Sequence, residues 1–425
     1  MSAHSLNPYI PSIQDSLRAL VQTSSVRTGV AEDAIDGVIP GCVVEPGDEA
    51  EFARVLAHAN TTGLQVAPRG SGTKASWGDT PERVDVALST ARFNRLLEHA
   101  HQDMTVTVEA GVKFVDLQRT LAEHGQRLAL DPMWPERATV GGAISTNDCG
   151  ALRLRYGGVR DLIIGVTIVL SDGTIAKSGG KVVKNVAGYD LPKLMTGAFG
   201  TLGVITKAVF RLHPLPEHAR TISLEFADIK GANNFMLAVA DSTLVPTGMQ
   251  FRIGNGIAAR VDVRFEGIAP SIEAQTQTLT KLASNARECT ESTDVWRTRE
   301  QLSNPDGAIV CKLSMLPSEI GATAAFLRET LAELVPWSFV AQSVGLAVLR
   351  IESSDEGSTR EVIASLRAQL ARSGGFQVIL ACPAEWKKSL SVWGSAGSAQ
   401  ALMKRIKQRF DPKGTLNRGR FVGGI

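Results

Sequence analysis

The largely apolar run Leu64 to Ala67 leads directly into Pro68-Arg69-Gly70-Ser71-Gly72-Thr73-Lys74, and this junction constrains the fold more than any other stretch. The run reads as a strand. Two glycines one residue apart let the backbone turn with its N–H groups outward, Ser71 and Thr73 offer hydroxyls, and Arg69 and Lys74 offer positive charge. Such a loop at the end of a sheet strand suits a bound anion, a pyrophosphate in particular. A Gly-Ser-Gly turn also joins strands where no ligand binds.

The surrounding pattern alternates helix and strand. Asp48 is placed to cap a helix, with Glu51 three residues on and Phe52, Val55, Leu56 and Ala59 recurring at i, i+3, i+4 and i+7; Gly63 stops it. Strands are expected at Val84 to Leu88 and Met104 to Ala110, and helices at Ile13 to Leu20 and at Phe114 to Glu123, the latter closed by Gly125. A second chemical stretch follows at Pro135 to Gly150. From Thr139 to Gly150 nearly every residue is small or polar, a composition that packs badly as core but suits a backbone lying against a flat ring system; the alternative is a glycine-rich connection between strands. Arg153, Arg155 and Arg160 come next, either beside the ligand or as solvated surface charges. Leu162 to Leu170 reads as a strand reversing at Asp172-Gly173. Beyond Lys181 and Lys184 to Leu191, a third glycine-rich run, Gly197 to Thr206, enters a strand at Val204 to Leu212.

Gly70-x-Gly72-x-x-Ala75 also matches the dinucleotide pattern G-x-G-x-x-A, which requires its last residues to open a helix. Ser76-Trp77-Gly78-Asp79-Thr80-Pro81 is a poor helix start, so nicotinamide binding of that kind is disfavoured.

Taken in order, Arg-Gly-x-Gly-Thr from Arg69, Thr-Val-Gly-Gly-x-x-x-Thr-Asn-x-x-Gly from Thr139, Tyr-Gly-x-x-x-Asp from Tyr156, Ala-Gly-Tyr-Asp-Leu from Ala187 and Gly-Thr-Leu-Gly-Val-Ile-Thr from Gly200 resemble the FAD-binding domain of the vanillyl-alcohol oxidase/p-cresol methylhydroxylase group. Asp411-Pro412 followed by Asn417 matches that group's closing segment. The resemblance covers about residues 40 to 215 and 400 to 425, and within the group it is to the small FAD-binding subunit of bacterial glycolate oxidases. It implies an α+β fold: a two-lobed FAD-binding domain of the p-cresol methylhydroxylase type over residues 1–215, an antiparallel-sheet α+β cap over 216–397, and a C-terminal segment, 398–425, returning to the FAD domain. It implies that Arg69, Gly70, Ser71, Gly72, Thr73 and Lys74 wrap the FAD pyrophosphate, that Thr139, Val140, Gly141, Gly142, Thr146, Asn147 and Gly150 follow the pyrophosphate and flavin, that Gly203 and Ile205 meet the adenosine side, and that Asn417 reaches the flavin edge. Several members bond the flavin covalently through a histidine near the first loop. This loop has none, so non-covalent FAD is expected.

The stretch after Pro214-Leu215-Pro216 has a different character. Strand-like segments at Thr221 to Phe226, Arg260 to Phe265, Ile309 to Leu313 and Leu346 to Glu352 alternate with helical ones at Glu273 to Leu282, Ile320 to Leu334 and Ser358 to Arg372, which predicts an antiparallel sheet with helices on one face. A last helix, with Leu402, Ile406 and Phe410 four apart, would bring the chain back. The seven histidines all lie at or before His218. The family's 2-hydroxy-acid dehydrogenases carry cap histidines that bind a metal or take the hydroxyl proton, so no catalytic residue is assigned here; Lys184, Tyr189 and Glu385 are candidates without a specific pattern behind them, and His99 and His101 read as surface residues. No cluster has metal-ligand spacing, and no metal is expected.

Charge and cysteines narrow the function classes. A net charge of +2, from 45 basic and 43 acidic residues, argues against a nucleic-acid partner. The five scattered cysteines, without a C-x-x-C pair, point to a reducing compartment and to no iron–sulfur cluster held by this chain alone. The opening residues are polar and no apolar run approaches the ~18 residues of a membrane span, so a cytoplasmic location is expected, with any membrane association made through partners. Three functions fit: an FAD-bearing subunit that oxidises glycolate to glyoxylate together with a larger homologous FAD subunit and an iron–sulfur subunit, as the resemblance implies; a self-sufficient FAD-dependent oxidase or dehydrogenase of another alcohol or hydroxy acid; and a flavin-bound scaffold without catalysis. The first is favoured.

Overall fold

A computed structural model describes residues 9–180, 189–290, 294–304, 307–331 and 335–425; the lysine-bearing run from Lys181 to Gly188 lies outside them. Helix Glu49–Thr62 forms where its spacing predicts it. Asp48 accepts from the Glu51 N–H at 2.8 Å, the Glu51 carboxylate accepts from the Gly47 N–H at 2.6 Å, and Gly63 ends the helix at φ +74°. Its buried face, Phe52, Val55, Leu56 and Ala59, packs on Val44, Val86 and Leu88. The helix is the crossover that parallel strands need. It carries the chain from Cys42–Val44 to Val66–Arg69, and both pair in parallel with Val86–Ser89 in a four-stranded sheet completed by Val26–Thr28.

Val66–Arg69 is the edge strand of that sheet, and the far C-terminus covers its free side: the Val66 N–H donates to Thr415 O at 2.8 Å and the Asn417 N–H to Val66 O at 2.9 Å. This pairing brings Asn417 beside the Pro68–Lys74 loop. Asp411 holds it in place. Its buried carboxylate accepts from the N–H groups of Thr415 at 2.9 Å and Leu416 at 2.8 Å and from Lys407 Nζ at 2.6 Å. On helix Gln400–Phe410 only Ile406 and Phe410 of the expected apolar stripe pack on core residues; Leu402 is 53% exposed, because the helix docks through its C-terminal turns.

A second sheet is antiparallel, in the order Leu96–Ala100, Thr105–Glu109, Val204–Arg211, Ile163–Val169, Ile175–Gly179. Its last two strands reverse at Asp172-Gly173 as expected, with Gly173 at φ +89°. Between these elements the glycine-rich run forms a helix, Val140–Thr146, which composition does not announce because two adjacent glycines weaken a helix by roughly 2 kcal/mol. Packing overrides propensity here: Val140 and Ile144 enter the core, and a Cβ on Gly141 would sit 2.9 Å from the Ala110 Cβ.

Residues 218–381 contain an eight-stranded antiparallel sheet, in the order Ala286–Cys289, His218–Phe226, Ile257–Gly267, Gly248–Gly254, Trp337–Gln342, Leu346–Ile351, Ile309–Ser314, Phe376–Ala381. The four expected strands are present, three of them longer than expected and the fourth, Leu346–Ile351, one residue shorter. Gly248–Gly254, Ala286–Cys289, Trp337–Gln342 and Phe376–Ala381, with helix Ile229–Ala240, were not expected, although Met249 to Ile253 alternates apolar and polar residues as a half-buried strand does. One face is covered by helices Ile229–Ala240, Ala269–Leu282, Ile320–Leu331 and Glu356–Ala371. The other presents Val310, Val340, Val348 and Leu380 to Trp77, Met133 and Phe199. Period-two alternation does the sorting: Ile309, Cys311 and Leu313 face the helices and Val310 faces the first two sheets.

Asp411→Ala should lower unfolding free energy by about 3 kcal/mol or more, because it leaves a half-buried lysine and two buried N–H groups without their acceptor. Urea denaturation measures it, and a loss under about 0.5 kcal/mol, the usual range for a surface change, would refute the staple.

Candidate functional site

The loop after Val66–Arg69, helix Val140–Thr146, the run Phe199 to Ile205 and Asn417 line one cleft that opens to solvent. Its first wall is the loop itself. Among the described residues the N–H groups of Gly70, Ser71, Gly72 and Thr73 make no hydrogen bond, so four backbone dipoles are free to meet an anion. Two close approaches explain the glycines. A Cβ on Gly70 would lie 2.2 Å from the Thr139 Oγ1, and Gly72 has φ +79° with the Arg69 guanidinium 2.8 Å from where its Cβ would be. Ser71 donates to Arg137 O, which ties the loop to the start of the second wall.

The two loop cations are already paired. Arg69 donates to Asp33 at 2.7 Å and to Glu32 O at 2.7 Å, and Lys74 lies 2.9 Å from Asp148. The Arg27 guanidinium, with Val30 N–H and Arg69, holds the Asp33 carboxyl down at about 2. Binding strength at the loop therefore comes from backbone dipoles more than from free charge. On the C-terminal segment paired with Val66, Asn417, at φ +44°, donates through Nδ2 to Phe199 O at 2.7 Å and leaves Oδ1 buried without a partner. Arg420 donates to Ala75 O at 2.7 Å and stacks 5.2 Å from the Phe199 ring centre; burial pushes its pKa down to about 10.

Behind the Lys74–Asp148 pair lies a small pocket with room for about one water, walled by Trp77 and Met133 on one side and by Lys312, Gln342, Val348 and Leu380 on the other. Asp148 is its most connected group. One oxygen accepts from Arg299 at 2.7 Å, the other from the Met133 N–H at 2.9 Å and faces Lys74. Burial alone would raise this carboxyl, but Lys74 and Arg299 hold it well below the ordinary carboxylate range. Asp131 accepts from the N–H groups of Gly150 and Leu152, and burial raises its carboxyl against the pull of Arg299. Lys312 makes no hydrogen bond or ion pair among the described residues, and burial lowers its pKa while Asp148 raises it.

Of the residues expected to bind the cofactor, Arg69 to Lys74, Thr139, Gly141, Gly142, Thr146, Gly203, Ile205 and Asn417 line the cleft. Three do not. Val140 is buried in the core, Asn147 ends the helix at φ +48°, and Gly150 backs onto the Asp131 carboxylate. Arg155 and Arg160 are exposed and Arg153 lies against Gly158, so none of the three arginines lines the cleft. Tyr189 is 91% exposed, Glu385 is exposed, and Lys184 lies outside the described residues. Ser145, Phe199, Gly200 and Arg420 line the cleft and were not singled out as site residues. Phe199 and Gly200 belong to a recognised glycine-rich run, but Asp148, Arg299, Lys312 and Gln342 carry no local pattern. His99, His101 and His124 cluster with ring centres 4.6 to 6.1 Å apart, away from both cavities, and no group of three or more His, Cys, Asp and Glu is placed to hold a metal ion among the described residues.

Comparison with known proteins agrees with this geometry. Residues 40–179 match the family model described as FAD binding domain, and residues 395–421 match the C-terminal domain of FAD linked oxidases. The chain is 34% identical over 213 residues to glycolate oxidase subunit GlcD of Bacillus subtilis, covering 50% of this chain and 45% of that one. It is 36% identical over 209 residues to D-lactate dehydrogenase of Archaeoglobus fulgidus, covering 49% and 46%. The match thus spans about half the length of these curated relatives. In fold, the chain is similar to p-cresol methylhydroxylase with substrate bound, at TM-score 0.76 and 16% identity over 97% of both chains, and to alkyldihydroxyacetonephosphate synthase, at TM-score 0.70 and 16% identity over 95% and 84%.

The Asp33 carboxyl falls from 3.8 to about 2 on folding, so its stabilisation is complete above about pH 4 and disappears as pH falls toward 2. Asp33→Asn should therefore lower the urea midpoint at pH 7 and flatten its fall between pH 4 and 2. Parallel acid profiles for the two proteins would show that Asp33 does not brace the loop through its charge.

Proposed function

We propose that this chain, which carries the FAD binding domain and the C-terminal segment of FAD-linked oxidases, is the FAD-bearing subunit of a 2-hydroxy-acid dehydrogenase that oxidises glycolate to glyoxylate with partner subunits. The observation that carries the cofactor is a single cleft lined both by four unpaired loop N–H groups and by an unpaired Asn417 Oδ1. A diphosphate needs donors and a ring edge needs acceptors, and the cleft has both kinds.

In this reading Gly70 to Thr73 hold the diphosphate, Thr139, Gly141, Gly142 and Thr146 lie along it and the flavin, Gly203 and Ile205 meet the adenosine side, and Asn417 orients the flavin edge. Residues 1–215 and 398–425 act as the FAD-binding unit and 216–397 as its cap. FAD supplies a two-electron acceptor. The chain's own residues bind and enclose it: Trp77, Met133 and Phe199 meet the cap sheet in an apolar seam that keeps water from the inner end of the cleft. None of the described residues lining the cleft is histidine, cysteine or tyrosine, in keeping with FAD held without a covalent bond. The hydroxy-acid substrate is supported by relatives named as a glycolate oxidase subunit and a D-lactate dehydrogenase. The larger flavoprotein and the iron–sulfur subunit belong to the same proposal, as the route by which electrons leave.

The purified chain should be yellow and release FAD on denaturation. Gly70→Val, which forces a side chain into Thr139, should weaken FAD retention by about 100-fold, equivalent to nearly 3 kcal/mol, with little change in the melting temperature of the apoprotein. Anaerobic glycolate should leave the isolated chain's flavin oxidised until the partner subunits are added. Rapid bleaching of the isolated chain would overturn the dependence on partners, and a colourless protein that takes up no FAD would overturn the whole reading.

A further inference from the structure

We propose that the groove at the seam between Leu154-Arg155 and helix Ile229–Ala240 binds a medium-chain carboxylate, with Arg155 receiving the carboxylate and the apolar walls the alkyl chain. The groove shares no lining residue with the cleft or with the pocket behind Lys74, so the inference stands apart from the cofactor reading.

Its walls come from separate parts of the chain. Helix Ile229–Ala240 supplies Met236 and Leu237, the connection to strand Gly248–Gly254 supplies Leu244 and Pro246, that strand supplies Met249, and the turn before Leu346–Ile351 supplies Val344. Met236 and Met249 belong to the core under the helices of the eight-stranded sheet, so the groove lies on that side and not on the side that meets Trp77 and Phe199. It has about 390 Å³ of room, on the order of a dozen groups the size of a water, enough for the alkyl chain of octanoate. Met236 and Met249 suit such an occupant, because unbranched polarizable side chains adapt to an alkyl chain in more than one arrangement.

Charge decides the head group. Of the lining residues only Arg155 and Ser343 are polar, and none is acidic. Arg155 is exposed and makes no hydrogen bond or ion pair among the described residues. It also stands in a positive neighbourhood. Burial first, then the charges of Arg211, Arg127 and Arg155, hold the His213 imidazole below its ordinary pKa, so these side chains share one field. Glu266 answers only part of it, pairing with Arg127 and Arg264 and leaving Arg155 and Arg211 without a carboxylate among the described residues. An anion at Arg155 therefore meets uncompensated positive charge, while its tail meets alkyl surface. Ser343 adds a polar point on the wall: it is 9% exposed, and its Oγ has no hydrogen-bond partner, a group that an oxygen of the ligand would satisfy. Phosphate would leave the apolar walls empty, and an uncharged alkyl chain would leave Arg155 unanswered.

Titration calorimetry on the full chain tests this with octanoate below its micelle-forming concentration, octanol and acetate. One octanoate should bind per chain, about tenfold or more tighter than octanol, and acetate should give no measurable heat of binding. From butanoate through hexanoate to octanoate, affinity should rise roughly fourfold per methylene. Arg155→Gln should bring octanoate and octanol within about twofold, whereas Arg155→Lys should keep most of the preference. Ala240→Trp, which fills the groove from an exposed position on the helix, should abolish binding of both. The melting temperatures of the ligand-free variants should match the wild type. A wild type that binds no octanoate, or several molecules per chain, would overturn the proposal, as would a preference for octanoate over octanol that survives Arg155→Gln. FAD content of the same samples reports on the cofactor reading separately.

Discussion

The Asp148 carboxylate is the interaction on which the two cavities depend. It is buried, and it joins three separate parts of the chain: Lys74 from the phosphate-type loop, the Met133 N–H ahead of the glycine-rich helix, and Arg299 from the segment that lies on the eight-stranded sheet. A buried carboxylate is tolerated only when its charge is answered on each side. Satisfying it draws the loop, the helix and the cap segment to one point. The larger cleft lies on one side of that point and the small pocket on the other.

The distribution of charge follows from this. Arg69 and Lys74 look from their positions like phosphate ligands, but each is taken up by a carboxylate from elsewhere, Asp33 and Asp148. Their work is to hold the loop's shape. What the loop turns toward the cleft is a row of backbone N–H groups, held open because Gly70 and Gly72 let Thr139 and Arg69 approach closely. Charge left free in the interior appears instead at Lys312, in the smaller pocket. The cleft thus presents oriented dipoles, and the pocket an unpaired lysine.

Much of the fold was legible residue by residue. Asp48, the Phe52 to Ala59 spacing and Gly63 define their helix through local capping and a 3.6-residue period, and Asp172-Gly173 defines its hairpin through turn chemistry. Helix Val140–Thr146, built across two glycines, escaped because its stability is not local, and the strands Gly248–Gly254 and Trp337–Gln342 escaped too, although each pairs with the next strand in the chain as well as with the other. The cleft residues were largely legible because glycine-rich motifs keep their meaning wherever backbone must approach a ligand. Val140, Asn147 and Gly150 share such a motif and yet do not line the cleft: the helix turns Val140 into the core, Asn147 ends it in the left-handed conformation, and Gly150 lies beyond it against Asp131.

The sequence by itself placed a strand-ending glycine loop, a small-residue run and a distant Asp-Pro segment in an order that resembles an FAD-binding family, and residues from all three stretches line or flank one cleft. It also determined that the cap would lack a histidine beyond His218. Only the tertiary structure decided which charges remain free. Ion pairing depends on residues far apart in the chain, Lys74 with Asp148 and Asp148 with Arg299, and on desolvation that no stretch of sequence carries. For that reason the loop's Arg69 and Lys74 prove to be paired, and among the described cations lining the two cavities the one without a hydrogen bond or ion pair is Lys312, in the middle of a strand where no motif marks it.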